Sequence, residues 1–464
     1  MNRPVLIGVG GAREPAEAID LMVLAAERAV GDSGARSDTN VPLDAVIVPQ
    51  GSWPYRDPGR EIARRLGSPQ ARSVLGDLGV SQQGLISAAM EMIMRGDAAI
   101  VLVVGGESRR WSTDGGYVDL DGVPDLRLER PHDFVDQLEI DAGIAFPAVR
   151  SYALLQRAFD HKIGRGDAPS SEAVSTLWAS MSRVAAAAGT QAFEAPRDSD
   201  FLATPSPENR LMAAPYLKWH CSQWNLDDAS ALLLCSEEAA RELRLEPSAA
   251  LHPLVALEST HSLPVIRRDE LGRWPAMEVL GRRAREHLGM ELRDIELIDL
   301  YSCFPVAVMM QAHALGLALD PAPTLTGGMT FAGGPFNNYV LDSHVAMARA
   351  LRSRPGARGL VTTVSGLLTK PGLGIWSTEP SSNGMLLADL DAEAEAATSA
   401  VACGAFEPGG NLTIESSTAF FEGEASRSVV VGRDGSGRRS LAVLDDDASF
   451  DRFSARSCIG EDLR

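Results

Sequence analysis

The chain has 464 residues, 45% of them hydrophobic and 23% charged, with a formal net charge of −19 at pH 7. That apolar content excludes a disordered chain, and the acidic balance argues against a nucleic-acid groove, which needs clustered cations. No apolar run approaches the ~20 residues of a membrane helix, and Met1 to Gly11 lack a signal-peptide pattern, so a cytoplasmic protein is expected. The five cysteines are scattered without a C-x-x-C pair, which indicates neither a disulfide framework nor a zinc ribbon. At roughly 150 residues per domain the length allows about three units.

Helix and strand signals alternate from the start. Pro15 opens a segment whose Ile19, Val23, Ala26 and Val30 follow helical spacing, and Ala45 to Val48 form a short β-branched run. A helix is predicted at Arg60 to Leu66, a strand around Ser73 to Leu75, and a helix from Gln82 to Arg95. The run Ala98 to Val104 is continuously apolar and ends in Gly105-Gly106, as a strand buried on both faces does. From Glu107 to about Ala250 the chain is richer in loops, with isolated helices at Pro147 to Phe159 and Ser171 to Ala188, and reads as an insertion.

The order then repeats. A helix at Met277 to Leu288 leads to a strand at Ile295 to Leu300, a helix opened by Pro305, and a glycine-rich turn from Gly327 to Gly334. A helix from Asn337 to Leu351 and a strand at Gly359 to Val364 follow, which suggests two related α/β halves. After Pro380 an acidic connector (Asp389, Asp391, Glu393, Glu395) precedes β-type runs at Leu412 to Ala419, Arg427 to Val431 and Arg439 to Leu444. The expected division is 1–120 and 251–385 for the two halves, 121–250 for the insertion and its return strand, and 386–464 for connector and β-rich tail.

Several ordered segments carry a family resemblance: Arg95-Gly96-Asp97 with AAIVLVVGGES (Ala98 to Ser108), DLYSCFP (Asp299 to Pro305), GGMTFAGGPFNNY (Gly327 to Tyr339) and LLTKPGLGIWSTEP (Leu367 to Pro380). They resemble the thiolase superfamily over about Val5 to Pro380. The nearest branches are the actinobacterial thiolase-like proteins often labelled acetyl-CoA acetyltransferase and the sterol-carrier-protein thiolases. The resemblance implies a duplicated five-layer α/β/α/β/α core with an inserted loop domain. The tail falls outside that core and is expected to be a small β-barrel-like, OB-like domain.

Thiolases join or split acyl chains as coenzyme A thioesters, chemistry that needs a thiolate at a helix N-terminus, a proton-moving residue and oxyanion donors. Counted back from Gly96, the family's nucleophilic cysteine falls on Gly79, or on Ser81 with the register shifted by two. The family's Asn-Glu-Ala-Phe segment corresponds to Tyr301, Ser302, Cys303 and Phe304, its Gly-His-Pro histidine to Gly334 between Gly333 and Pro335, and its second cysteine to Val364. The resemblance therefore implies a degenerate site with weak or absent thiolysis, since one lost oxyanion donor alone costs ~100-fold to 1,000-fold.

The catalytic candidates are Ser81, Tyr301 and Cys303. Each has a structural alternative: Ser81 as the N-cap of the Gln82 helix, Tyr301 as a hydrogen-bonded core tyrosine, and Cys303, like Cys221, as a small buried hydrophobe. His220 reads as a loop-capping histidine, and Lys218 and Lys370 stand out among 43 mostly arginine bases. For coenzyme A the candidates are Arg150, Arg157 and Arg210 for the phosphates and the Gly333-Gly334 loop for close approach. No tightly bound cofactor or metal is expected; an acyl-CoA is the expected small-molecule partner of a monomer or homodimer. Two further readings stand beside the acyl-CoA one: a retro-aldol carbon–carbon lyase using Tyr301, and a non-enzymatic scaffold acting through the tail.

Overall fold

The computed structural model describes residues 2–35, 41–111, 117–130, 133–165, 170–190, 192, 196–407 and 409–463. Strand and helix alternate through the first half as β1 (Pro4–Ala12), α1 (Ala18–Asp32), β2 (Ala45–Pro49), α2 (Pro58–Arg65), β3 (Arg72–Gly76), α3 (Gln82–Arg95), β4 (Ile100–Ser108) and β5 (Leu126–Leu128). The limits of α3 match those read from the sequence because both ends carry stop signals. The Ser81 side chain accepts from the Gly84 N–H at one end, and Gly96 takes the left-handed conformation (φ 78°) at the other. β4 starts two residues later than expected and continues through Gly105 and Gly106 to Ser108.

The insertion supplies α4 (Gln137–Asp141), α5 (Val149–Lys162), α6 (Ser170–Ala188), α7 (Ser199–Ala203) and a small ribbon of β6 (Leu211–Ala213) and β7 (Tyr216–Leu217). The chain then returns to the first sheet as β8 (Asp227–Ser236), antiparallel to both β1 and β4, and leaves through α8 (Glu237–Glu242). It is this return strand that pairs Gly105 with Ser230 and Gly106 with Ala229 and so carries β4 past its glycines. The six-stranded order is β1-β8-β4-β2-β3-β5.

The second half builds β9 (His252–Glu258), α9 (Pro275–Leu288), β10 (Leu297–Asp299), α10 (Pro305–Leu315), α11 (Gly328–Phe331), α12 (Tyr339–Arg352), β11 (Arg358–Ser365), β12 (Lys370–Ser377), β13 (Leu386–Asp389) and α13 (Asp391–Ala397). Its sheet order is β10-β11-β12-β9-β13. The residues read as the start of a connector thus behave differently: β13 extends the second sheet parallel to β9, with Leu386 opposite Val255, and the acidic stretch forms α13. Hydrophobic residues on both faces of each sheet explain the layering. Leu85, Ile86, Ala89 and Met90 of α3 and Val340, Leu341 and Ala348 of α12 pack between the sheets, α1 and α2 cover the outer face of the first, and α9 and α10 that of the second.

The tail is a five-stranded sheet of β14 (Cys403–Ala405), β15 (Leu412–Glu422), β16 (Ala425–Arg433), β17 (Arg439–Leu444) and β18 (Asp462–Leu463), with α14 (Asp447–Ala455) closing a core around the buried Phe453. The order β14-β17-β16-β15-β18 leaves the two outer strands unpaired with each other, so the sheet is a curled half barrel where an OB barrel would close. Among the described residues no helix is long and apolar enough to cross a membrane.

Candidate active site

A cavity of about 690 Å³ opens where the two halves and the insertion meet. One side is the approach to α3 (Leu78 to Gln82), a second the segment after β10 (Tyr301, Cys303, Phe304), a third the loop from Met329 through Gly334 to Tyr339, and a fourth the end of β11 (Thr363 to Leu367). Two of the segments that carry the resemblance, Asp299 to Pro305 and Gly327 to Tyr339, therefore meet on one space, with Leu367 of a third at its edge, while Ala98 to Ser108 lies outside the lining. The insertion adds Phe134, Phe146, Ala148 and Tyr152.

Tyr301 is held by its backbone: its N–H donates to Thr362 Oγ1 (2.9 Å) and its carbonyl accepts from Gln311 Nε2 (2.7 Å). The phenol lies edge-on to Tyr339 (centroids 5.9 Å apart) and has no hydrogen-bond partner among the described residues. Burial, aided by the neighbouring Cys303, raises its pKa, so at neutral pH it stays a donor. Burial likewise pushes the Cys303 thiol up to about 12. Beside that thiol stands Tyr152, a residue the sequence reading passed over. Its ring stacks on Phe304 at 4.3 Å, its hydroxyl donates to the Gly366 carbonyl (3.3 Å), and burial raises its pKa as well. The sequence predicts its helix at Pro147 to Phe159, but nothing local marks one tyrosine of α5 as facing a cavity.

Ser81 is the N-cap of α3, its structural alternative: Oγ accepts from the Gly84 N–H at 2.9 Å. The hydroxyl also donates to Glu258 Oε2 at 3.0 Å. Gly79 offers no side chain, and its carbonyl accepts from Lys370 Nζ (2.9 Å) and Ser365 Oγ (3.3 Å), which places the conspicuous Lys370 as a buried brace of the cavity wall. Gly334 faces the cavity, but a Cβ there would stand 2.7 Å from Met329 Cε and 2.9 Å from its Cβ, so any side chain at this position displaces Met329. Gly333 turns away toward a second, smaller cavity that also contains Arg13 and Asp228.

The arginines proposed for phosphate binding do other work. Arg150 donates to the Gly143 carbonyl and pairs with Glu422 (3.3 Å) while its guanidinium covers Phe420 at 3.9 Å. Arg157 donates to Ser417 Oγ (3.0 Å) and to the Arg456 carbonyl (3.0 Å). Both are buried in the seam between α5 and the tail, where the cost of desolvating a cation is offset by such acceptors, the Ser417 and Ser454 carbonyls among those of Arg157. Arg210 is exposed and lies outside the cavity lining. His220 is buried, its Nδ1 accepting from the Leu217 N–H at 3.2 Å, and burial lowers it to about 4; it too is outside the lining.

Among the described residues the lining contains no Asp, Glu, His, Lys or Arg. Its rim is apolar and open: Phe146 is 63% exposed and Trp224 54%, with Leu78 and Phe336 beside them. The exposed guanidinium of Arg109 lies 4.4 Å above the Trp224 ring. The arrangement supplies neutral donors, an apolar wall and a cation at the mouth; no side chain of the described lining is a base at neutral pH.

No family model matches the chain. Among characterised proteins it is similar to 3-ketoacyl-CoA thiolases of Yersinia pestis (strain Pestoides F) and Yersinia pseudotuberculosis serotype O:1b, each 29% identical over 143 residues, or 30% of this chain and 35% of theirs. The match therefore spans about a third of those relatives. Among solved structures it is similar to a monomeric SCP2-thiolase-like protein type 1 from Mycobacterium smegmatis, 29% identical over 99% of this chain and 96% of that one, with a TM-score of 0.85. The Ltp2-ChsH2(DUF35) aldolase (18% identity, 81% and 98% coverage, TM-score 0.60) and human mitochondrial 3-ketoacyl-CoA thiolase in complex with CoA (16%, 82% and 98%, TM-score 0.59) share the fold.

Proposed function

We propose that this thiolase-like chain holds an acyl-coenzyme A thioester, with the acyl group in the 690 Å³ cavity and the anionic end passing the rim near Arg109 and Trp224. The observation that carries the reading is the lining itself: phenols, a protonated thiol and apolar side chains, with no ionisable base among the described residues. Such a wall favours an acyl chain and leaves carbon–carbon bond exchange without the base that typically contributes 10²–10⁴-fold, an order-of-magnitude range of roughly 3–5 kcal/mol. Calorimetry should show saturable binding of hexanoyl-CoA, while thiol release from acetoacetyl-CoA stays far below an ordinary thiolase rate. Rapid thiol release would overturn the second half of this reading, and absence of binding the first.

Retro-aldol cleavage of a coenzyme A thioester is a second reading, supported by the unpartnered Tyr301 phenol next to Cys303 and Tyr152. A phenol whose pKa is raised acts there as a proton donor to a carbonyl oxygen. Tyr301→Phe should then lower cleavage of a β-hydroxyacyl-CoA by about 100-fold with unchanged binding; an unchanged rate removes this reading. The scaffold reading is less favoured. In the tail Arg427 pairs with Glu422 and Asp445, Arg433 with Glu415 and Asp269, Arg438 with Asp434, and Arg452 and Arg456 with Glu461, so these cations are neutralised in place.

A further inference from the structure

One hydrogen bond behind the cavity wall lies a carboxylate that the binding role does not use. Glu258 is the last residue of β9 and is buried, with Oε2 accepting the Ser81 hydroxyl at 3.0 Å. Its other oxygen is 3.8 Å from Arg130, and among the described residues Asp389 and Asp391 are the other charged groups acting on it. Asp391 is itself engaged by Ser259 Oγ (2.8 Å) and the His261 N–H (3.0 Å). Burial pushes Glu258 up to about 6, against the opposing pull of Arg130 and of the Ser81 hydroxyl.

The sequence makes room for this contact. A Cβ on residue 84 would stand 2.5 Å from Glu258 Oε2, so a glycine in the first turn of α3 is what admits the carboxylate to the helix end. The same turn fixes the Ser81 oxygen from two sides, by the Gly84 N–H and by the carboxylate. Helix geometry also leaves the N–H groups of Gln82 and Gln83 outside the intrahelical ladder. Ser81 and Gln82 both line the cavity. Hydroxyl, base, backbone donors and a substrate-sized space therefore adjoin, which is the set that acyl transfer to water requires.

We propose that Ser81 and Glu258 form a nucleophile–base pair that hydrolyses the acyl thioester held in the cavity. The inference rests on the acyl-thioester reading above. Ser81 Oγ attacks the thioester carbonyl as its proton passes to Glu258, the oxyanion meets the first N–H groups of α3, and the carbon–sulfur bond breaks. The departing thiolate takes the proton from Glu258 and leaves as coenzyme A. Water then attacks the Ser81 ester with Glu258 accepting its proton, and that proton returns to Oγ as the carboxylic acid is released. No oxidation or further co-reactant is involved.

The test uses the full chain with hexanoyl-CoA, following coenzyme A release with a thiol reagent, together with a fluorophosphonate serine probe located by peptide mass spectrometry. Expected are slow hydrolysis that falls about 100-fold or more in Ser81→Ala and in Glu258→Gln with binding retained, and labelling at Ser81. The rate of the unaltered protein should rise as pH passes through about 6, and Glu258→Gln should lack that limb. Because Ser81 also caps α3, probe labelling of the unaltered protein is the measurement that does not depend on a variant folding. A protein that binds hexanoyl-CoA but neither hydrolyses it nor takes the probe at Ser81 overturns the pair and leaves the cavity reading intact. Ser81 labelling without thioester binding overturns the cavity reading and with it the thioester as substrate, and leaves Ser81 as an activated nucleophile.

Discussion

Replacing Arg439 by methionine is expected to lower the stability of the protein by about 3–5 kcal/mol. Arg439 is fully buried, and every arm of its guanidinium is used: Nε donates to Glu415 Oε2 (2.6 Å), Nη1 to the Ile266 (2.9 Å) and Arg268 carbonyls, and Nη2 to the Asp269 carbonyl (2.9 Å). Methionine restores much of the volume but strips the Arg268 carbonyl of its donor, leaves the Ile266 and Asp269 carbonyls with Cys403 Sγ and Arg433 Nη2 alone, and leaves half of a carboxylate uncompensated. The penalty of unpaired buried acceptors, rather than the loss of a favourable ion pair, sets the size of the effect. Glu415 keeps Arg433 at 2.7 Å, which holds the cost below that of a wholly stranded charge. Urea unfolding of the variant measures it. Arg438→Ala is the control: its ion pair with Asp434 is largely exposed, so a change of about 0–1 kcal/mol is expected there. Equal effects for the two arginines would contradict the assignment of Arg439 as a tie between tail and second half.

Lengthening the acyl chain of the coenzyme A thioester should strengthen binding steeply. Phe134, Phe304, Met329, Val364 and Leu367 line the cavity, and a methylene moved from water onto such a wall contributes about 0.8 kcal/mol. From acetyl to hexanoyl, four methylenes give roughly 3 kcal/mol, or about 200-fold in dissociation constant. A plateau is expected once the chain outgrows the cavity, and Trp224 at the rim provides a fluorescence readout. Affinity that is flat from acetyl to hexanoyl would show that the acyl group does not enter.

Much of the layered core was legible because its signals are local. Ser81 and Gly96 bracket α3, continuous apolar runs mark the buried strands, and the repeated order of elements reports the duplication. The convergence of Gly79, Ser81, Tyr301, Cys303, Gly334 and Val364 was legible only through the family resemblance, because their separations along the chain carry no geometric information. What stayed hidden depends on distant partners. Arg157 reads as a surface cation until the Ser417 hydroxyl, 260 residues away, is seen beside it. Glu258 carries no local mark of a role, because its place beside Ser81 depends on the room that Gly84 leaves for it. Barrel closure is likewise a property of first and last strands meeting, which alternation within each strand does not encode.

The position of α5 gives the tail a mechanical meaning. One face of this helix presents Tyr152 to the cavity, and the same helix is clamped to the tail through Arg150, Arg157 and the Leu154 carbonyl, which accepts from Ser416 Oγ at 2.7 Å. The tail thus serves as a back-plate for one wall of the cavity, and its removal would strip that wall of its support as well as strand two buried guanidinium groups. A minimal core cut at the end of the second sheet is therefore not a self-sufficient unit of this protein, and changes far out on the half barrel can reach the cavity as changes in the stiffness of a single helix.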